Sequence, residues 1–551
     1  MTHLRAVLKN YSLPILAGLL IGTSYIPFPP WAIFFGLVPL FVYWVSVAET
    51  PAQGFWGGWL AQFLLNLIGF HWIAYTATEF GHFPWWGGLL TLIGYAALAH
   101  LHYAVSGWIA LHLRRHFKLS NQTFLFTAAT LFALCDHRFP MIFPWHLGYP
   151  WLWAHWPGAQ LADVIGFEGL NIATIFVNAL LAWALILFLL NRRVASQNTS
   201  SGASSGALRS LRTPFIFAGA GLAVIAVLNL LGLGREKPWQ ENDAEVRVLV
   251  VQGNIGNFDK LMAELKSGFR VPIVNKYLSL TRQGLAQFPE TQLILWPETA
   301  YPDLLDAGAV NYGLAPSLRT LTQTARVPLL TGGYSQEIRN RKRSDYNAFF
   351  HIDASGTVHS PPYRKTILLA FGETFPFSDY IPYMQTLLPD MGAFAQGSGP
   401  TNMSVLVHQK NGTEQRIALG PQICYEGLYP WFSSSLAAQG AQIFTNVTND
   451  SWFGSDFEPY QHLYMTAARA IEMRRPLIRA TNTGITTAVL ASGEFLQQSP
   501  IGKEWFGEFR VAYKTQPPHT FYEKIAGLWG WVLAALLLIL VGFGKSKKDT
   551  Q

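Results

Sequence analysis

Cys424 is where covalent chemistry would begin. It lies in Ile423-Cys424-Tyr425-Glu426-Gly427, at the end of an apolar, strand-like run. It is one of two cysteines in 551 residues, a count that excludes a disulfide scaffold and a cysteine-rich zinc or iron–sulfur site. Two readings remain, a nucleophile or a buried inert thiol. A free thiol ionises near pH ~8.5, so a nucleophilic Cys424 needs a base or a cation beside it. Glu298, in Trp296-Pro297-Glu298-Thr299, is a candidate base. Burial can raise a carboxylate pKa into that role; capping a helix or pairing with a cation is the plainer use. Lys365, in Tyr363-Arg364-Lys365-Thr366, precedes the apolar run 367–371. Desolvated, it can hold a developing oxyanion; solvated, it is an ordinary surface lysine.

Other polar residues have simpler readings. His462 follows Gln461 in a predicted helix and is expected to be structural. Asp136-His137-Arg138 stands at the end of an apolar segment and is expected to be an interfacial cluster. The chemistry available to Cys424, Glu298 and Lys365 needs no metal and no cofactor.

The elements around these residues alternate between strand-like and helical. Runs 246–251, 293–296, 327–332, 417–424 and 443–448 are apolar and rich in β-branched residues. Two hairpins turn at 354–356 and 492–494, and 459–474 reads as a helix. Polar residues repeatedly follow strand ends, where sites on layered α/β domains tend to be built.

That domain is only part of the chain. Charged residues make up 13% of the sequence, about half the usual level for a soluble protein. Before residue 235 the only acids are Glu49, Glu79, Asp136, Asp163 and Glu168. Eight apolar segments are expected to cross a membrane: 13–26, 31–48, 54–75, 86–112, 123–135, 165–190, 214–233 and 525–543. The predicted organisation is therefore a seven-span bundle over 1–234, a soluble domain over 235–524, and an eighth span with a basic tail over 525–551.

Orientation follows from the lysines and arginines of short loops. Arg5 and Lys9, then Arg114, Arg115 and Lys118, then Arg192, Arg193, Arg209 and Arg212, then Lys545, Lys547 and Lys548 fall on one side. The other side's short loops hold only Arg138. Both termini are thus expected in the cytoplasm of a bacterium, with the soluble domain in the periplasm. The net charge of +7 is then largely a topological signal, and nucleic-acid binding is not expected.

Taken together, the Glu298, Lys365 and Cys424 contexts resemble the Glu–Lys–Cys pattern of the nitrilase superfamily. The whole chain resembles the membrane-bound branch of that superfamily, the apolipoprotein N-acyltransferases. Further motifs carry the resemblance: Val-Gln-Gly-Asn-Ile at 251–255, Phe371-Gly372-Glu373, Cys424-Tyr425-Glu426, Asn-Asp-Ser-Trp-Phe-Gly at 449–454, Gln461-His462 and Arg475-Pro476-Leu477. The resemblance implies a multi-pass α-helical membrane protein with an inserted nitrilase-like αββα sandwich. It implies an inner-membrane enzyme that moves an acyl chain from a phospholipid to the α-amine of a diacylglyceryl-cysteine apolipoprotein. Cys424 would be the nucleophile, Glu298 the general base and Lys365 the oxyanion partner. Glu373 would be a second active-site carboxylate, with Tyr425 and Glu426 flanking the nucleophile. One departure stands out. Family members often carry a tryptophan shortly after Gln-Gly-Asn-Ile, whereas residues 256–260 here offer only Phe258.

The irregular apolar run 383–394 is expected to be either a membrane-dipping arm, with Leu387, Leu388 and Phe394 admitting lipid, or a loop packed on the core. Two other functions compete with acyl transfer. A tethered amidase would use the same triad with water as acceptor, but one span would suffice to anchor it. A transporter or receptor would bury polar groups within its spans, and few stand out beyond Glu168 and Asn171.

Overall fold

The computed structural model describes residues 2–198, 204–306, 308, 310–339, 341–370, 372–374, 394–408, 412–454 and 456–544. The chain divides into two compact units. One comprises Met1–Thr78, His82–Arg235 and Lys524–Gln551; the other comprises Glu79–Gly81 and Glu236–Glu523.

The first unit is helical. Among the described residues, four helical stretches are long and apolar enough to cross a membrane: Trp85–Phe117, Pro157–Arg192, Arg212–Trp239 and Phe521–Gly542. A fifth candidate is broken, with Pro51–Gly69 and Trp72–Glu79 meeting at 62°. The remaining expected spans form shorter helices. The first gives an apolar helix over Asn10–Gly22. The second keeps regular helix only over Val38–Ser46, because the stretch after Pro29-Pro30 runs through turns instead. The fifth lies in Asn121–Arg138, whose end carries Asp136, His137 and Arg138. Hydropathy counts apolar residues, whereas turns decide how many of them stack into one helix.

Helix packing in this unit relies on small residues. A Cβ on Gly54 would lie 2.5 Å from the Gly107 carbonyl oxygen, and one on Gly58 would lie 2.2 Å from that of Tyr103. The Gly54–Gly58 spacing thus lets two backbones touch, the packing favoured where no hydrophobic effect drives helices together.

Polar contacts inside this unit go beyond what the sequence suggested. Asp136 is buried; it lies 3.1 Å from His102 Nε2 and accepts a hydrogen bond from Asn171 Nδ2 at 2.5 Å. Buried polar groups are also more numerous than expected, since His100 Nδ1 contacts Asn66 Oδ1 at 2.6 Å in the same unit. These groups come from separate helices and the turn at His100, so each span alone still averages as apolar.

The second unit is built on two sheets. Strands β1 (Ala244–Gln252), β2 (Leu293–Leu295), β3 (Leu329–Arg339), β4 (Lys342–Ile352), β5 (Tyr363–Arg364) and β11 (Trp505–Tyr513) form one, in the order β11-β1-β2-β3-β4-β5. Strands β6 (Met403–His408), β7 (Glu414–Ile423), β8 (Ile443–Thr448), β9 (Leu477–Thr481) and β10 (Thr487–Val489) form the other, in the order β10-β9-β8-β7-β6. In each sheet the central strands are parallel and the flanking ones antiparallel. The sheets face each other, with contacts between β1 and β9 and between β4 and β7. Helix Arg270–Gln287 packs on the first sheet, where the Tyr277 and Trp296 rings meet, tilted, at 5.1 Å within the core. Helices Pro430–Ala438 and Glu458–Met473 cover the second. This is the layered α/β arrangement that the strand and helix order anticipates.

Gly332 fixes how closely β3 approaches the segment after β2. A Cβ there would lie 2.5 Å from the Thr299 nitrogen and 2.7 Å from the Glu298 Cα. Both are backbone atoms, so one chain must move. Gly332→Ala is expected to cost ~1–3 kcal/mol of stability, in line with overpacking elsewhere. By displacing Glu298 it is also expected to slow the reaction about 10-fold or more. Thermal unfolding and turnover measured on the same preparation check this.

Candidate active site

Glu298, Lys365, Glu373 and Cys424 come from four separate stretches and meet in one buried place. Glu298 follows β2, Lys365 follows β5 and Cys424 follows β7. Their exposures are 6%, 1%, 3% and 5% in the order Glu298, Lys365, Glu373, Cys424. Lys365 Nζ donates to Glu298 Oε1 at 3.1 Å and to Glu373 Oε1 at 2.9 Å, with Glu373 Oε2 at 2.8 Å. An ammonium has three N–H donors, so two carboxylates leave it one more to offer. The surface-lysine reading of Lys365 is therefore wrong.

Neighbours hold both carboxylates still. Asn347 Nδ2 donates to Glu298 Oε1 at 2.7 Å and to Glu373 Oε1 at 2.9 Å. The Asn449 N–H donates to Glu298 Oε2 at 2.9 Å, and the Leu369 N–H to Glu373 Oε2 at 2.9 Å. Sequence reasoning missed Asn347. Its one signal is a polar residue inside β4, directly before the apolar run Ala348-Phe349-Phe350.

The charges set two protonation states. Burial pulls the Lys365 ammonium toward neutrality, but Glu298 and Glu373 outweigh it and hold its pKa well above the ordinary lysine value. Lys365 therefore stays charged and is no base at neutral pH. Burial pushes the Cys424 thiol well above its ordinary value; Glu298 adds to this and Lys365 opposes it. The resting nucleophile is thus a neutral thiol, and its proton must leave during reaction.

Cys424 has φ +53°, a left-handed conformation rare for a side chain of its kind. Such a residue costs ~1–3 kcal/mol unless its surroundings fix it. Glu426 supplies part of the fixing. Its carboxylate accepts from the Ile423 N–H at 2.7 Å, the Thr366 N–H at 2.6 Å and the Ile367 N–H at 3.1 Å. Tyr363 Oη donates to both of its oxygens, at 2.9 and 2.8 Å. Glu426 thereby ties the Cys424 turn to the segment that carries Lys365. Burial raises its pKa to about 7 against the pull of these donors. Glu426→Gln places an amide N–H against one of those donors, so it is expected to cost about 2–3 kcal/mol of stability. Chemical denaturation of the variant against wild type checks this.

The other expected site residues lie as follows. The buried Tyr425 hydroxyl lies 3.4 Å from the Leu368 carbonyl, and its ring meets Tyr429 edge-on at 5.6 Å. Phe394 stacks on Tyr334 at 5.8 Å, and its N–H donates to the Glu373 carbonyl at 3.2 Å. Leu387 and Leu388 lie outside the described residues. Phe258 is 68% exposed, so nothing here gives it a stacking partner's role. Lys260, from the same stretch, instead donates to the Glu298 carbonyl at 3.3 Å and to Thr299 Oγ1 at 3.0 Å. The buried His462 turns its Nδ1 to two carboxylates, 3.1 Å from Asp450 Oδ1 and 3.2 Å from Glu458 Oε1.

Comparison with known proteins finds relatives of both units. Residues 248–504 match the carbon-nitrogen hydrolase family, and residues 17–180 match the apolipoprotein N-acyltransferase N-terminal domain. An apolipoprotein N-acyltransferase from Bdellovibrio bacteriovorus is 43% identical over 95% of this chain and 92% of its own. One from Azotobacter vinelandii is 30% identical over 98% of this chain and 95% of its own. Likeness of this degree runs through both units, and the chain belongs to the apolipoprotein N-acyltransferase family.

Proposed function

We propose that this protein transfers an acyl chain from a membrane phospholipid to the N-terminal α-amine of a diacylglyceryl-cysteine apolipoprotein. The observation that carries the reading is the buried Cys424, set at a strained strand end beside Lys365 and two carboxylates, in a chain of this family. Cys424 attacks the ester carbonyl while Glu298 takes its proton. Lys365 holds the oxyanion with its remaining N–H. Glu298 returns the proton to the departing lysophospholipid oxygen, which leaves an acyl thioester on Cys424. The apolipoprotein amine then attacks the thioester. Glu298 accepts the amine's proton and passes it to the leaving sulfur. Splitting ester-to-amide transfer in this way gives ping-pong kinetics. Glu373 keeps Lys365 charged and in place, and Tyr425 and Glu426 hold the nucleophile's turn.

The architecture belongs to the same proposal. Eight membrane segments anchor the chain in a bacterial inner membrane, with both termini cytoplasmic. The shorter and bent helices serve as segments alongside the four long ones. Residues 235–524 are the periplasmic catalytic domain, placed where acyl donor and acceptor both lie in the bilayer.

The test uses detergent-purified protein and a phospholipid with a labelled acyl chain. Wild type is expected to gain hydroxylamine-sensitive label, and Cys424→Ala none. A diacylglyceryl-cysteine peptide added afterwards is expected to carry the label away on its amine. Release of label only to water would replace acyl transfer with hydrolysis of the amidase kind.

A further inference from the structure

Cys424 has a second holder besides Glu426, and it leads to a fully buried ion pair. Asn446, on β8, donates from Nδ2 to the Cys424 carbonyl at 2.8 Å and to the Gln422 carbonyl at 3.2 Å. Its Oδ1 accepts from Arg479 Nη1 at 2.5 Å. Asn446 and Arg479 are direct register partners on the parallel strands β8 and β9. The other arm of the same guanidinium, Nη2, donates to Asp450 Oδ2 at 2.8 Å. Asn446, Arg479 and Asp450 are all 0–1% exposed.

The ion pair also reaches the base. Asp450 follows Asn449, whose N–H holds Glu298 Oε2 at 2.9 Å. Thr448 Oγ1 donates to Asp450 Oδ1 at 3.0 Å, and His462 Nδ1 lies 3.1 Å from the same oxygen. Burial alone would favour a neutral Asp450, but Arg479 and His462 hold its carboxyl well below the usual range. An ionised aspartate on one arm of a planar fork fixes the direction of the other arm. That direction orients the Asn446 amide, and the amide fixes the carbonyl of a residue held at φ +53°.

We propose that Arg479 and Asn446 are positioning residues for the acyl-transfer nucleophile: Asp450 aims Arg479, Arg479 orients Asn446, and Asn446 clamps the Cys424 backbone. The proposal rests on the acyl-transfer reading, since it assigns these residues to that reaction's first step. It differs from a plain stability role in one respect. Loosening the clamp should shift Sγ relative to Lys365 and Glu298, and so change the thiol's reactivity as well as the melting temperature.

Two measurements on the detergent-purified full chain carry the test. One is the rate of hydroxylamine-sensitive labelling from the acyl-labelled phospholipid. The other is the pH profile of Cys424 alkylation by iodoacetamide, which needs no acyl substrate. Arg479→Lys keeps a cation for Asp450 but loses the fork that also reaches Asn446. Asn446→Ala removes the clamp itself. Each is expected to slow labelling by about 10-fold or more. Each is also expected to move the alkylation midpoint by about half a pH unit or more. Because the residues act in series, the double variant should lose no more than the worse single one. Lowered melting temperatures with labelling and alkylation unchanged, or losses that multiply in the double variant, would overturn the proposal. Should Asn446→Ala not purify as a folded protein, Asn446→Asp takes its place with the same expectations, since it keeps a partner for Arg479. Should wild type take up no acyl label at all, the acyl-transfer reading falls, and the alkylation profile alone decides whether the clamp positions Cys424.

Discussion

Glu298→Gln is expected to slow acyl-enzyme formation by about 10³-fold at neutral pH, within the range that a positioned general base contributes. The reason is the state of the nucleophile. Cys424 is buried and its thiol is pushed well above the ordinary value, so almost no thiolate exists to react without a base. The substitution also cannot be absorbed quietly. An amide nitrogen at the Oε1 position would face the Lys365 ammonium and the Asn347 amide, both donors. At the Oε2 position it would face the Asn449 N–H. Donor would meet donor either way. The rate of hydroxylamine-sensitive labelling reads the effect directly. Raising the pH from 7 to 9 is expected to rescue little, because the thiol still lies above that range. A variant that forms thioester at the wild-type rate would remove Glu298 from the base's role.

The second large effect is expected for Lys365→Met. Lys365 separates two buried carboxylates, 3.1 Å from Glu298 and 2.8 Å from Glu373. Without it, Asn347 alone would stand between them. Breaking a buried ion pair in this way costs about 3–5 kcal/mol, because charge is left without a partner. Loss of the oxyanion donor should cost a further ~10²–10³-fold in rate. The sign of the pH dependence distinguishes this from general loosening. In wild type the Lys365 pKa is raised, so its contribution is fully present below the ordinary lysine value and is lost only as pH rises through the higher folded one. In the variant, the facing carboxylates can be relieved only by taking up a proton. Lys365→Met is therefore expected to recover stability on the acid side, with a smaller deficit at pH 5 than at pH 8. Thermal unfolding at both values decides it; an equal deficit would mean that the two carboxylates do not depend on the ammonium.

Much of this protein was already legible in the sequence. Its long apolar segments marked the helical unit. Alternating short apolar runs marked the layered domain. The residue types in Trp-Pro-Glu, Tyr-Arg-Lys and Ile-Cys-Tyr-Glu pointed to three of the groups that the fold brings together. Local chemistry writes such signals, because buried strands need apolar runs and a thioester needs a thiol.

Tertiary structure alone decided the rest. No sequence pattern says that Lys365 lies between Glu298 and Glu373, or that Asn347 bridges the same carboxylates from β4. Nor does one say that Asp136 is buried against His102 and Asn171. The lengths of the helices belonged to this level too, since turns ended or bent segments that hydropathy alone made continuous. The physical reason is the same throughout. Composition fixes which groups can leave water, but the cost of burying a charge or a thiol depends on the partner that folding brings to it, as the Asn449 N–H reaches Glu298 from 151 residues along the chain.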